Sequence, residues 1–334
     1  MVYGKTDQER YEQKTAQLKA FASDDDEHGH TVSPRTRARA AGRALNAAES
    51  HLSRLDPLLT DIRSRYAEAL FRAGTGARRL RDHLGYVIRE ASVVHGPDSP
   101  EVRRLKTIQA EERPIGGARA LRKIERIRAQ TDELRETGGL PYAFAMQDLA
   151  ERQRAAGRHA DFQETVGSLV RDRNALGLTD DEQLLFAQLA GAALMEAGEV
   201  ELALPLLEEA QRQPGRPAEV IPGTGDWETL FLAVTTAACQ LANGKAKAAE
   251  DVLRGALTSF TDDADDPDKH LVKLRHRTVF ELGTAAFLQG RTGEAVERFQ
   301  EACDLIARTA SPQEATFTAY RNTRVYAEIR ARGE

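Results

Sequence analysis

The densest grouping of ligand-type side chains in the sequence is Asp24-Asp25-Asp26-Glu27, followed by His28 and His30. Carboxylates and imidazoles suit divalent cations, but nothing nearby completes a ligand set, and the stretch Ala22 to His30 reads as a solvated acidic loop. His270 and His276 stand near the start of a helical pattern, where surface exposure or an internal hydrogen bond is expected rather than metal ligation. None of the eight histidines is arranged with a Ser or Cys as a nucleophile–base pair. Cys239 and Cys303 fall inside apolar helical patterns, so each is expected to be a small buried hydrophobe and no disulfide is expected. Gly74-Thr75-Gly76 is too short, and follows no strand, for dinucleotide binding. There is no phosphate loop, Gly-x-Ser-x-Gly elbow, His-Glu-x-x-His pair or Cys-x-x-Cys pair. Neither catalytic residues nor a metal site nor a cofactor is expected, and the chain is not expected to be an enzyme.

Charge is the other chemical feature. The net charge of -5 conceals a segregation: residues 32–130 carry 21 Lys and Arg against 11 Asp and Glu, and residues from 131 onward carry 22 against 34. The basic side chains run from Arg35, Arg37 and Arg39 through Arg78, Arg79 and Arg81 to Arg119, Arg122, Lys123, Arg126 and Arg128. Such a run can bind phosphates if it lies on one face, although Glu111, Glu112 and Glu125 dilute it and no aromatics are interleaved. It can equally dock on the acidic half of the same chain or of a second copy, or reflect Arg-rich codon usage. No apolar run approaches the roughly 20 residues of a membrane span, Met1 to Lys19 is polar throughout, and a cytoplasmic protein is expected.

These groups need elements to position them, and 334 residues rich in Ala, Leu, Arg and Glu should be helical almost everywhere. Leu282-Gly283, Gly290, Ala295, Phe299 and Ala302 form a pattern that returns 46 residues earlier as Gly244, Ala249, Leu253 and Ala256. Another 46 residues back stand Ala190-Gly191, Gly198, Ala203, Leu207 and Ala210; a fainter copy lies 41 residues before that, at Leu149-Ala150, Gly157, Phe162, Val166 and Leu169. Gly can end one helix in a left-handed turn, and small residues let the next helix approach while large ones fill the space between pairs. Start signals are the capping box Thr179-Asp-Asp-Glu182, Asp266-Pro267, Asp226 with Trp227, and Pro141. They give first helices of about 16 to 24 residues, with linkers over Gln211 to Gly225 and Thr261 to Asp265. Ser311-Pro312-Gln313-Glu314 opens a last helix expected to cover the end of the array.

The combination of Leu-Gly in the first helix with Ala, Phe and Ala in the second resembles the tetratricopeptide repeat (TPR), in a variant of long period. The resemblance implies an all-α fold of antiparallel helix pairs stacked as a right-handed solenoid over residues 141–310. A capping helix follows at 311–334. Residues 1–32 are expected to be a polar helix and flexible acidic loop, and 33–140 a basic helical region. Ser33-Pro34 starts a helix there towards Leu55, and Asp61 to Val94 reads as a divergent helical pair. Its following His95-Gly-Pro-Asp-Ser-Pro100 is similar to the loop of kinesin-light-chain repeats. Ala120, Ile124, Ile127, Thr131 and Leu134 mark one apolar stripe on a further helix.

In the family the first helices line a concave groove for peptides. The resemblance places Gln147, Glu151 and Arg154, then Gln188, Ala192 and Met195, then Val234 and Ala238, and finally Phe280, Thr284 and Phe287 on that face. Basic residues are nearly absent after the first copy, which argues against a carboxylate clamp. The expected function is a non-catalytic scaffold or adaptor holding a peptide or amphipathic helix of a protein partner. The alternative is a regulatory protein that senses a peptide, as do bacterial pheromone receptors with similar long-period arrays, with the basic half as effector. Nucleic-acid binding through residues 33–130 is a third expectation; self-association is open, and no membrane partner is expected.

Overall fold

The computed structural model describes residues 6–28, 33–74, 77–111, 117–212, 225–260, 269–308 and 314–333; within its helices, residues 20–28, 77, 78, 82, 117, 172–174, 180, 181, 184, 225–228, 269 and 270 are described by backbone alone. Among these residues the regular structure is fifteen α-helices and one 3-10 turn, with no strand. An amino-terminal bundle comprises α1 (Asp7–His28), α2 (Pro34–His51), α3 (Pro57–Ala73), α4 (Ala77–His95) and α5 (Pro100–Ala110). Then α6 (Gly117–Arg135) lies on α7 (Gly139–Ala155), which pairs with α8 (His159–Asp172). Three further pairs follow: α9 (Asp180–Ala197) with α10 (Val200–Arg212), α11 (Gly225–Ala242) with α12 (Ala246–Thr258), and α13 (Lys269–Leu288) with α14 (Thr292–Ala307). The last helix, α15 (Ala315–Arg332), packs on α14.

The repeated glycines do what their spacing predicts. Gly157, Gly198, Gly244 and Gly290 all have positive φ, from 70° to 81°. Each ends its helix with one hydrogen-bond pattern: the residue after the Gly donates five positions back, and the Gly donates three back. That double bond satisfies carbonyls that would otherwise be orphaned at the helix end. The small-residue slots close the pairs. A Cβ on Gly283 would sit 2.7 Å from Phe299, and one on Gly191 would sit 2.5 Å from Leu207. Phe299 and Leu207 are wholly buried, each contributing about 1.5–3 kcal/mol of apolar burial. First helices of 17, 18, 18 and 20 residues agree with the range expected from the start signals. The capping box is formed: Glu182 N donates to Thr179 Oγ1 at 3.4 Å, and Thr179 N donates to Glu182 Oε2 at 2.9 Å.

Some expectations are corrected. The acidic stretch Asp24 to Glu27 is not a loop, because α1 runs on through it to His28; nothing after Lys19 breaks a helix before Gly29. A helix that the sequence reading did not assign, α5, follows the Gly-Pro-Asp loop, its N-cap Ser99 accepting from Val102 N with Pro100 at the first position. Another break, Leu52 to Asp56, ends α2 and starts α3 with Asp56 as N-cap and Pro57 following. The first repeat helix starts at Gly139 with no side-chain cap. His30, Asp266-Pro267, Ser311-Pro312-Gln313, Glu112, Gly76 and most of both linkers lie outside the described residues, as do the side chains of Asp226, Trp227 and His270. The stripe on α6 is real: Ile124, Ile127 and Thr131 are buried, the isoleucines in a small core with Leu149 of α7 and Ala156 just beyond its end.

The two halves of the chain meet. The helix α4 lies against α9 and α11, while α15 lies against α1 and α2. Carbonyl ends of the first helices carry partial negative charge, and the basic half supplies donors to them. Arg81 Nη1 donates to Ala155 O at the end of α7, and Gln109 Nε2 donates to Ala197 O at 2.9 Å. At the same crossing a Cβ on Gly85 would lie 2.8 Å from the Ala197 carbonyl carbon, and Gly198 faces the backbone of Gly85. Lys106 pairs with Glu201 across the seam. A further clasp joins the chain's ends: Ser53 Oγ donates to Thr323 Oγ1 at 3.2 Å, and Asn322 Nδ2 to Ser50 O at 3.3 Å. Substituting Gly85→Ala therefore pushes α4 off α9, and a loss of about 1–3 kcal/mol, typical of overpacking, is expected in urea unfolding. Unchanged stability would mean that the helices are not in this contact.

Candidate functional site

The seam does not close completely. Between α4 and the inner face of the repeat helices lies a cavity of about 340 Å³, near the lower end of the roughly 300–1,000 Å³ typical of small-ligand sites. One face of α4 supplies Tyr86, Arg89, Glu90 and Val93, residues spaced by three and four. Facing them, α9 supplies Ala192, Met195 and Glu196, and α11 supplies Phe231, Thr235 and Ala238. The carboxy-terminal wall is Arg277, Phe280 and Glu281 from α13, with Tyr320 from α15.

The remaining wall is Arg54, from the break between α2 and α3. Its position is built by the residues around it. Tyr11 Oη donates to Asp56 Oδ2 at 2.8 Å and accepts from Ser53 N at 3.0 Å, Ser53 Oγ accepts from Leu55 N at 3.0 Å, and Leu52 and Leu55 are buried anchors. Held this way, Arg54 Nη1 donates to Glu281 Oε1 at 3.0 Å and its Nε lies 3.3 Å from Glu90 Oε2. The guanidinium also stands 5.4 Å from the centre of the Phe280 ring, within cation–π range. Phe280 is in turn stacked on Tyr320 at 4.0 Å.

The lining carries three arginines and three glutamates, but they are not all neutralised alike. Glu90 has both Arg54 and Arg63 near it, the latter at 4.0 Å. Burial alone would raise its carboxyl, yet Arg54, Arg63, Arg89 and Arg277 overcome that and hold it below the ordinary range. Glu281 spends only Oε1 on Arg54, leaving Oε2 buried without a hydrogen-bond partner among the described residues. Arg277, one turn before Glu281, lines the cavity without an ion pair among the described residues. A chamber whose wall holds a buried, unpaired carboxylate oxygen, an arginine outside any ion pair among the described residues and aromatic rings can bind a ligand bearing an N–H donor, an anionic or carbonyl oxygen and an apolar body.

The groove positions expected from the repeat pattern divide into three groups. Met195 and Phe280, together with Ala192 and Ala238, line the cavity. Val234 and Thr284 are fully buried in the chain's own packing, Thr284 Oγ1 donating to Phe280 O at 3.2 Å, and Phe287 packs on Tyr326 with ring centres 5.8 Å apart. Gln147, Glu151 and Arg154 on α7, and Gln188 on α9, lie outside the cavity lining, with Glu151 exposed. Sequence reasoning missed Arg54, Tyr86, Arg89 and Glu90, because a groove argument concerns the repeats alone. The one available signal was Asp56-Pro57, which marks a helix start just after Arg54.

Other candidate groups are structural. Cys239 and Cys303 are buried free thiols, pushed up by burial to about 12 and about 11 respectively. Among the described residues no three His, Cys, Asp or Glu side chains gather as a metal site, and no helix is long and apolar enough to cross a membrane. His276 is buried behind the cavity, its Nδ1 3.2 Å from Tyr320 Oη, and burial with Lys273 and Arg277 nearby lowers it to about 4. His83 is lowered to about 4, chiefly by burial.

A lowered imidazole means that the fold prefers the neutral ring, so the unfolded chain takes up protons first. Stability attributable to these rings is full above about pH 6.5, the unfolded value, and is lost as pH falls towards 4. Urea midpoints should decline from pH 7 to pH 4.5, and the double substitution His83→Asn with His276→Asn should flatten the profile. An unaltered slope in that variant would contradict neutral burial of both rings. No protein-family model matches this chain, and no curated protein is similar to it.

Proposed function

We propose that this chain is a non-catalytic binding protein of the TPR kind, its pairs stacked as a right-handed solenoid, that senses the end of a short extended peptide in the seam cavity. The observation that carries this reading is the meeting, in one chamber, of residues from three repeat pairs with the unsatisfied Glu281 Oε2 and with Arg277, which has no ion pair among the described residues. A free peptide amine suits Glu281, and a backbone carbonyl or carboxylate suits Arg277. Apolar side chains would lie against Phe231, Met195 and Val93. A helix with side chains is about 10–12 Å across, too bulky for 340 Å³, so an extended end is favoured over an amphipathic helix. Because α4 and Arg54 form a third of the walls, occupancy acts directly on the contact between the two halves, as a sensor requires.

The scaffold reading draws on a different surface. Phe144 on α7 and Leu185 and Leu189 on α9 are exposed large apolar side chains on neighbouring helices, near the polar Gln147 and Gln188. A partner helix docking there would leave the cavity untouched. Neither reading requires phosphates to meet the seam, where Arg54, Arg81 and Lys106 are already turned to carboxylates and carbonyls.

Calorimetric titration with unblocked and doubly blocked pentapeptide pools separates these readings. Unblocked peptides should bind, blocked ones should bind at least about tenfold more weakly, and Arg277→Gln or Glu281→Gln should cost a comparable factor. Equal affinity for blocked peptides, or indifference to both substitutions in a folded protein, would refute the cavity as the site. A partner lost through Phe144→Ser and Leu189→Ser instead would establish the scaffold reading.

A further inference from the structure

The basic segment is used in two different ways. Arg54, Arg63, Arg65, Arg72, Arg104 and Lys106 each have a carboxylate partner. Arg35, Arg39 and Arg43 have none among the described residues. These three stand four residues apart on α2 and, with Arg79 and Asn46, line a second cavity of about 570 Å³ in the amino-terminal bundle. Its floor is Ala38, Gly42, Tyr66 and Leu70, and no carboxylate lines it.

The cleft is open to solvent, with its arginines and Asn46 exposed around an apolar floor. Like charges at four-residue spacing destabilise a helix by a few tenths of a kcal/mol per pair, and the first turn of α2 contains no acidic residue to offset them. Arg79 leans over this floor, its guanidinium 5.5 Å from the centre of the buried Tyr66 ring, within cation–π range. Gly42 leaves the floor open: a Cβ there would sit 3.2 Å from Tyr66, and any longer side chain would occupy the cleft. At 1.5 Å per residue, Arg35 to Arg43 spans about 12 Å, longer than one phosphate needs. Guanidinium forks pair with phosphoryl oxygens two at a time.

We infer that this cleft binds a condensed phosphate chain of three or more phosphoryl groups, carried either by inorganic polyphosphate or by a nucleoside triphosphate. Single-stranded nucleic acid fits less well. Binding of that kind depends on exposed aromatic platforms, and the one ring in the cleft, Tyr66, is 3% exposed. The inference is independent of the seam cavity and of what that cavity holds.

Titration of the full-length chain with inorganic tripolyphosphate at two salt concentrations is the test, with orthophosphate, a nucleoside triphosphate and a single-stranded oligonucleotide as comparison ligands. Tripolyphosphate should bind much more tightly than orthophosphate, and affinity should fall as salt rises. Arg39→Gln and Arg43→Gln should each weaken binding about tenfold without lowering the thermal midpoint, and Arg277→Gln should leave it unchanged. Gly42→Leu, which fills the cleft, should abolish binding. Equal affinity for tripolyphosphate and nucleoside triphosphate assigns recognition to the phosphate chain alone, while tighter nucleoside triphosphate binding makes the nucleotide the carrier. Binding that does not distinguish tripolyphosphate from orthophosphate, or that survives both arginine substitutions, would overturn the inference. So would oligonucleotide binding that tripolyphosphate cannot displace.

Discussion

Arg54 is a charge that the chain cannot leave unpaired. It comes from the amino-terminal half, and its two carboxylates come from both halves: Glu90 on α4 and Glu281 on α13. Its side chain keeps about a fifth of its surface, whereas those of Glu90 and Glu281 keep about a twentieth. Removing charges from water costs several kcal/mol per ion, and breaking such a set by losing one partner costs about 3–5 kcal/mol. The halves are therefore committed to each other at this point. The same buried set is also what keeps the seam from packing shut, because charged heads with imperfectly satisfied oxygens hold space that apolar side chains would fill.

The segregation of charge along the chain follows from this arrangement. Much of the basic excess is spent on internal work: Arg54 and Lys106 on carboxylates of the repeats, Arg81 on the carbonyl end of α7, Arg63 on Glu49 and Glu90. What is left over lies exposed on α2 and along α6, from Arg119 to Arg128. An interior so assembled couples the cavity to the positions of several helices at once, since α4, α9, α11, α13 and α15 all supply walls. The clasp between α15 and the α2–α3 break sits beside Arg54 in sequence, so the chain's ends brace the residue that spans the seam.

The repeats were legible because their signals are local. A left-handed Gly at a helix end, a small residue opposite Phe299 or Leu207, and a Thr-x-x-Glu capping box each act within one or two turns, and each is found where its spacing places it. The end of α1 was misread because an acidic run looks like a loop, although nothing in it prevents a helix. The cavity was only half legible. Met195 and Phe280 follow from the repeat register, but Arg54, Tyr86 and Glu90 reach the site from more than 100 residues away through the close approach of Gly85 to Gly198. A contact of that range leaves no periodicity in one sequence. Its traces are Asp56-Pro57, which marks the break just after Arg54, and Gly85, which in isolation reads as an ordinary glycine within a helix.

The claim on which the rest depends is that Arg54 and Glu281 share one buried interaction across the seam. A double-mutant cycle measures it directly, using Arg54→Met, Glu281→Gln and the pair, with unfolding free energies from urea titration. Closure of the two halves predicts strong non-additivity, towards the upper end of the roughly 0.5–3 kcal/mol seen for contacting residues. Additive losses, agreeing within about 0.5 kcal/mol as expected for distant sites, would contradict it, because the two side chains would then not meet in the folded protein.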